Sequence, residues 1–581
     1  MLELIIKFFF AFLIFCGTTI CGIPIIFRLV LNTRWLSKIV LSYVVGFILL
    51  SLSGIVANAI SVDIFTIQLC MLVLCIVGTI SLRNSLVFDM DRTDQIIVGL
   101  TMFYIIILIA YFDWIVMWMA GDAVAHASII RMLIDGYSVP VSIYPFGSYW
   151  EYYPKAFHFY SFFWAKGGTI LSAIQVIPVL LSAIIPVILY SILRELRQSM
   201  VALYAFVLSC FCFPAHYAYL IWAGYPSIAA EMILVGAILS LIVNWRLLPI
   251  FFIGLLFTHT RFIGYLVLIL LLYGLFMIYE SPKNQCSLFT KRFFSIMATT
   301  LCGFFLICLI FQIIHPPHFI ISLIADRTIT LEYIARWFWG FFALFGLIIA
   351  FIDKERERTY RIFILWFIAI GILFFLSDVG ILGFFESPDR LLSLLYIPLS
   401  AFAAILLYTV SVTIPKSKII YLGLLILIGL SGMGAVFYSY ANSWGLPKED
   451  FHAISWINSQ KFQNALCINL DGPGEWVYPL AGVKTAYPRL LPKVDLGEEW
   501  FMRQMIDDPE ENSCITAMKN SGYAPIFVYI SNISLSKPGY TPPFNINTWG
   551  FGYILHPEKY SSAYYDVAYD NGTRLFKLKN N

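Results

Sequence analysis

Apolar runs of about twenty residues, each closed by a short polar segment, recur through the first 440 residues. A run of that length crosses a bilayer as one helix. The pattern predicts spans near 4–30, 38–60, 63–82, 96–118, 168–192, 200–221, 227–245, 293–314, 330–352, 361–377, 391–412 and 419–439. The stretch 247–279 is longer and is interrupted by Thr258-His259-Thr260-Arg261, so it reads as two short spans meeting at a polar tip. The total is about fourteen. No small-residue cleavage site follows the first run, and the run exceeds a signal-peptide core, which makes it a retained span.

Charge in the connecting segments orients these spans. Arg34 and Lys38, Arg83 and Arg92, Arg194 and Arg197, Arg246, Lys283 to Arg292, Lys354 to Arg361, and Lys416 and Lys418 fall in alternate loops. Basic loops stay cytoplasmic, and the split of 247–279 is what lets all of them do so. The opposite side then receives residues 119–167, 222–226, the 258–261 tip, 315–329, 378–390 and everything after 441.

The pattern changes after residue 440. The last 141 residues hold 26 charged side chains, against 45 in the first 440, which predicts a folded extracytoplasmic domain. Glu449–Gln460 has helical period, with Phe451, Ile454 and Ile457 on one stripe. Residues 465–470 and 525–530 read as strands. Tyr564–Tyr569 and Arg574–Leu578, joined through Asn571-Gly572, read as a hairpin with a tight primed turn. The expected architecture is therefore an α-helical polytopic membrane protein, residues 1–440 with an external loop at 119–167, followed by an extracytoplasmic α/β domain at 441–581. Asn532-Ile-Ser534 and Asn571-Gly-Thr573 are glycosylation sequons on the expected outer side.

Composition agrees. Sixty per cent of the 581 residues are apolar and 12% are charged, half the usual charged share, which excludes an ordinary soluble enzyme and a disordered chain. A net charge of +3 offers no basic stripe for nucleic acid. The eleven cysteines are mostly in apolar runs, without zinc spacing. Cys467 and Cys514 share the polar tail, either as a disulfide or as two free thiols.

Candidate chemistry concentrates in the first external loop. Asp122 follows the fourth span directly, where an ionisable residue is a functional candidate. Residues 122–135 have helical period, with Ala125, Ile129, Met132 and Leu133 on one face, as in a helix lying along the membrane surface. Asp122 and His126 are four apart and share a face. They suit a base with its orienter, or two ligands of a divalent metal such as Mg or Mn, or simply a helix cap and a surface histidine. Glu151, Lys155 and His158 lie further along, and the two latter could meet an anionic phosphate. His259 and Arg261 occupy the polar tip. Asp378 and Arg390 flank a later external segment, where Arg390 either pairs locally with Asp389 or offers its guanidinium fork to a lipid-linked phosphate. Glu475 lies in Asp471-Gly-Pro-Gly474-Glu475-Trp476, which is either a plain turn or a glycine-bearing loop whose backbone approaches a ligand.

The layout resembles the GT-C superfamily of polytopic glycosyltransferases, which take sugars from polyprenyl-phosphate donors. The resemblance rests on Gly121-Asp122-Ala-Val-Ala-His126, a helix ending at Asp135-Gly136, Tyr144-Pro145 and Tyr152-Tyr153-Pro154 with His158, and Pro388-Asp389-Arg390-Leu-Leu. The tail beginning Phe451-His-Ala-Ile-Ser-Trp456 is similar to tails of archaeal and bacterial members. Three spans precede the span leading to the loop, where many members have none. The resemblance implies Asp122 as general base toward a glycan, lipid or protein acceptor, with Arg390, Arg261, Lys155 and His158 facing the donor phosphate and inversion as the outcome. His126, Glu151, His259, Asp378 and Glu475 are the remaining candidates. The oligosaccharyltransferase branch carries a Trp-Trp-Asp-Tyr-Gly signature that is missing here, which disfavours transfer of a whole glycan to asparagine. Two other classes fit many spans: a lipid-linked saccharide flippase or transporter, and a polysaccharide polymerase or ligase. The first should show paired half-repeats. The second should carry basic external loops, whereas this tail has 14 acidic against 12 basic residues.

Overall fold

The computed structural model describes residues 2–86, 89–114, 121–137, 155–212, 220, 223–259, 261–280, 338–352, 354–378, 394–413, 422–427, 429–430, 433, 446–469, 472–486, 504–505, 508–536 and 556–579. Four long helices open the chain: α1 (Leu2–Leu29), α2 (Trp35–Ala59), α3 (Ile64–Ser81) and α4 (Arg92–Trp114). They are followed by α5 (Gly121–Ile134), α6 (Ala156–Lys166), α7 (Ile170–Glu195), α8 (Ser199–Val207) and α9 (Tyr225–Val243). Among the described residues six helices are long and apolar enough to cross a membrane: α1, α2, α3, α4, α7 and α9.

The expected break in 247–279 is present. Helix α10 (Leu248–Thr258) ends at His259, whose backbone is extended, and α11 (Arg261–Glu280) begins two residues later. Next come α12 (Phe338–Ile352), α13 (Lys354–Asp378) and α14 (Tyr396–Thr413), close to their expected bounds. Against about fourteen expected spans, the described residues thus hold six full-length ones and six shorter apolar helices. The expected span 293–314 lies outside the described residues, and 419–439 lies largely outside them.

Burial sorts the helices. The central α7 is buried along most of its length despite Pro178 and Pro186. By contrast α3 turns Val73, Leu74, Val77 and Ile80 outward, as a lipid-facing span would. Helices α1 and α2 cross closely through glycines. A Cβ on Gly22 would meet the Ser42 carbonyl, and one on Gly46 the Thr18 carbonyl. Small residues are how helices approach where lipid offers no hydrophobic drive.

Polar clusters mark the two ends of the bundle. At one end Arg194, at the foot of α7, pairs with Asp91 and lies 3.6 Å from buried Asp94. Tyr190 donates to Asp94 at 2.7 Å, and Glu195 accepts from Ser37 at 2.6 Å and from the Arg34 backbone at 3.1 Å. Loops assigned to one side by their basic residues thus meet at one end. The sheet-bearing tail docks at the other, over α5.

The tail contains α15 (Lys448–Ser459), β1 (Leu466–Asn469), α16 (Val477–Ala481), β2 (Lys484–Thr485), α17 (Asn512–Asn520), β3 (Ile526–Ile530), α18 (Asn532–Ser536), β4 (Tyr565–Asp570) and β5 (Arg574–Leu578). The strand order is β2-β1-β3-β5-β4, with β1 parallel to β2 and β3, and β5 antiparallel to β3 and β4. Strands β1 and β3 are buried on both faces, which explains their unbroken apolar runs. Leu466, Ile468 and Val528 pack toward α17, whereas Cys467, Phe527 and Tyr529 face the core shared with α15 and the helical bundle. Cys514 belongs to the α17 side. The two cysteines therefore lie on opposite faces of the sheet and are free thiols, so the disulfide alternative does not hold.

The hairpin is also corrected. Asp570 pairs with Arg574, leaving a three-residue loop in which Gly572 has φ +78° and Asn571 does not take positive φ. A type I′ two-residue turn, the one Asn-Gly favours, needs positive φ at both centres; a three-residue loop needs it once, where glycine sits.

Candidate active site

Helix α5 carries Asp122 in its first turn, where a carboxylate is favoured by the helix dipole. The expected surface helix is instead enclosed. Residues 123–130 are all buried, with Ala123, Val124, Ala127 and Ile130 in the main core and Ile129 and Leu133 against Phe159 and Phe162 of α6. The sheet-bearing tail covers its last turn, which is why the apolar stripe is wider than a surface helix needs.

The enclosure brings two predicted residues together. His126 Nδ1 lies 2.9 Å from His158 Nε2, so α5 and α6 are joined by a buried imidazole pair. Phe157 and Tyr225 close around His126, with ring centres 5.8 and 5.6 Å away. Tyr225 opens α9 and is also within reach of the Asp122 charge. The third wall is a turn: Ala223 is left-handed at φ +64°, and its carbonyl accepts the Tyr225 amide at 2.8 Å. A left-handed alanine costs about 1 kcal/mol. The His126 imidazole hydrogen-bonds the Ala223 backbone, which offsets part of that cost.

Burial pushes the His126 imidazole down to about 3, against a smaller upward pull from the Ala223 hydrogen bond. The ring is therefore neutral at ordinary pH and carries one N–H. Its Nδ1 meets His158, and the imidazole also hydrogen-bonds the Ala223 backbone within the fold. Among the described residues no group of three or more His, Cys, Asp and Glu side chains stands together.

Lys155 begins α6, with its carbonyl accepting the His158 and Phe159 amides at 3.0 and 3.1 Å. Its half-buried ammonium is held below the usual lysine range by desolvation. His259 and Arg261 stand at the break between α10 and α11, where the His259 ring packs edge-on to Phe262 at 5.3 Å. Glu475 lies in a 3-10 turn at 472–476 that packs against α5. Gly474 of that turn approaches the sheet rather than a ligand: a Cβ would lie 2.6 Å from the Asn469 side chain. Asp378 ends α13, and its side chain is outside the described residues, as are Glu151 and Arg390.

Tyr225, which the loop motifs do not name, carries only the helix-start signal of Gly224-Tyr225-Pro226. Elsewhere in α9, Glu231 is fully buried and faces Tyr396 of α14, a lone carboxylate within a span.

No family profile matches the sequence, and no curated protein matches it. Among solved structures the fold is similar to the Archaeoglobus fulgidus oligosaccharyltransferase tethered to an acceptor peptide, at 12% identity and a TM-score of 0.45, over 80% of this chain and 72% of that one. The archaeal oligosaccharyltransferase AglB from Archaeoglobus fulgidus, in complex with an inhibitory peptide and a dolichol-phosphate, is similar at 10% identity and a TM-score of 0.43, over 83% and 74%.

Proposed function

We propose that this chain is a membrane glycosyltransferase of GT-C type, moving a sugar from a polyprenyl-phosphate donor to an acceptor on the extracytoplasmic side. The observation that carries the proposal is Asp122 in the first turn of an enclosed helix, within electrostatic reach of Tyr225, which packs on His126 of the His126–His158 pair. The acceptor is a glycan, lipid or protein hydroxyl. Asp122 takes its proton as the oxygen attacks the anomeric carbon. The bond from that carbon to the donor phosphate oxygen breaks with oxocarbenium character. The electron pair leaves on the phosphate, whose charge Lys155, Arg261 and Arg390 are placed by the reading to receive. A phosphate leaves without protonation, so one base suffices. The imidazole pair holds α5 to α6 and thereby keeps Asp122 in position.

Transfer from a panel of polyprenyl-phosphate sugars to host membrane acceptors, with Asp122→Asn beside wild type, tests this. Wild type is expected to transfer from at least one donor, and Asp122→Asn to lose at least about a hundredfold. Equal activity of the two would remove Asp122 from the chemistry.

A further inference from the structure

Helix α5 is grasped at both ends, and only one grip belongs to the bundle. Its 14 residues extend about 20 Å, with Asp122 in the first turn and Arg131, Met132 and Asp135 in or just past the last. The second grip comes from the tail. Tyr478 of α16 donates its phenol to Asp135 Oδ2 at 3.1 Å. The same carboxylate takes Arg131 Nε, at 2.9 Å to Oδ1 and 3.1 Å to Oδ2. Met132 and Tyr478 bury a small apolar contact beneath this triad. The Arg131 guanidinium rests on Gly482, which takes φ +72° directly after α16, and a Cβ there would run into it. Burial, with the Asp135 charge adding to it, pushes the Tyr478 phenol up, so it remains a donor at any ordinary pH.

We propose that Tyr478, Asp135, Arg131 and Gly482 form a positioning latch through which the C-terminal sheet region sets the orientation of α5, and with it the place of Asp122. This rests on the glycosyltransferase reading for its catalytic consequence. An isolated helix of this length is marginal in water, so its orientation is set by what packs on it. A tilt of about 5° about the latch moves the first turn by about 2 Å over this length. A misplacement of about 1 Å can lower a rate about a hundredfold. The tail thus does more than cap the site: it is the far support of the helix that carries the base.

The test uses the full chain in nanodiscs and pairs Gly482→Ala with Gly522→Ala. Both glycines have positive φ, at +72° and +76°, so both substitutions carry the same backbone strain. Only Gly482 faces Arg131; nothing lies within 4 Å of a Cβ on Gly522. Hydrogen exchange of residues 123–134 is read together with kcat and KM for transfer. Gly482→Ala is expected to speed exchange in α5 about tenfold and to lower kcat about tenfold while the donor KM stays within about twofold. Gly522→Ala should leave both readouts near wild type. Tyr478→Phe, which deletes only the hydroxyl, should move the same readouts in the same direction by about threefold. Equal α5 exchange in the two glycine variants would overturn the latch. Altered exchange in Gly482→Ala where wild type itself transfers no sugar would retain the latch and overturn the glycosyltransferase reading instead.

Discussion

Single buried polar groups set the tolerance of this fold. Asp450 is fully buried and accepts from Thr573 Oγ1 at 2.7 Å, Tyr529 Oη at 2.8 Å and the Asn532 amide at 3.1 Å. One carboxylate thus fastens α15 to β3, to the start of α18 and to the hairpin. Asp450→Ala strands two buried hydroxyls and a part-buried amide and is expected to destabilise the tail by on the order of 3 kcal/mol, read as a lower thermal midpoint of the tail. The same logic gives a pH dependence at His126. Its folded pKa, near 3, lies below the ordinary value of 6.5, so between those values the unfolded chain binds a proton that the folded chain does not. This stabilisation is complete above about pH 6.5 and is lost as pH falls through the window, at up to about 1.4 kcal/mol per unit. The acid limb of a thermal-midpoint profile should flatten in His126→Phe; parallel profiles for the two proteins would refute the assignment.

At the scale of elements, helix existence was legible because apolar runs of span length have few other meanings. The break at His259 was legible from its polar tetrad. Strands β1 and β3 were legible from short apolar runs, and β4 and β5 from the Asn571-Gly572 turn signal between them. Strand β2, of two residues, was not, because Lys484-Thr485 has no period of its own and is made a strand only by pairing with Leu466 and Cys467. The burial of α5 was equally hidden: periodicity reports one apolar face, whereas here the tail supplies a second partner from more than 340 residues away in Tyr478. Helix crossing is where sequence and packing meet again. Gly46→Leu drives a side chain into the Thr18 carbonyl and is expected to lower the thermal midpoint in detergent or abolish folded protein, at about 1–3 kcal/mol or more. Gly99→Leu, which meets nothing within 4 Å, should be neutral. Equal loss in both would remove the close crossing as the cause.

For the whole molecule, the bundle and the tail share one apolar core that runs from α1 to β5. That continuity encloses α5, the helix that carries the candidate base, between the bundle and the tail. The constellation was partly legible. Asp122, His126 and His158 could be named from their loop, but not the 2.9 Å pairing of two histidines 32 residues apart, nor the enclosing Tyr225 from a helix 103 residues beyond Asp122. Distances across helices are set by packing, which no local pattern encodes. The central claim is that Asp122 performs the proton transfer of a glycosyl transfer. Its most direct test is the single-turnover rate at saturating polyprenyl-phosphate sugar, wild type against Asp122→Asn, with donor binding measured in parallel. A rate at least about a hundredfold lower with donor binding unchanged is expected; equal single-turnover rates would take Asp122 out of the proton transfer.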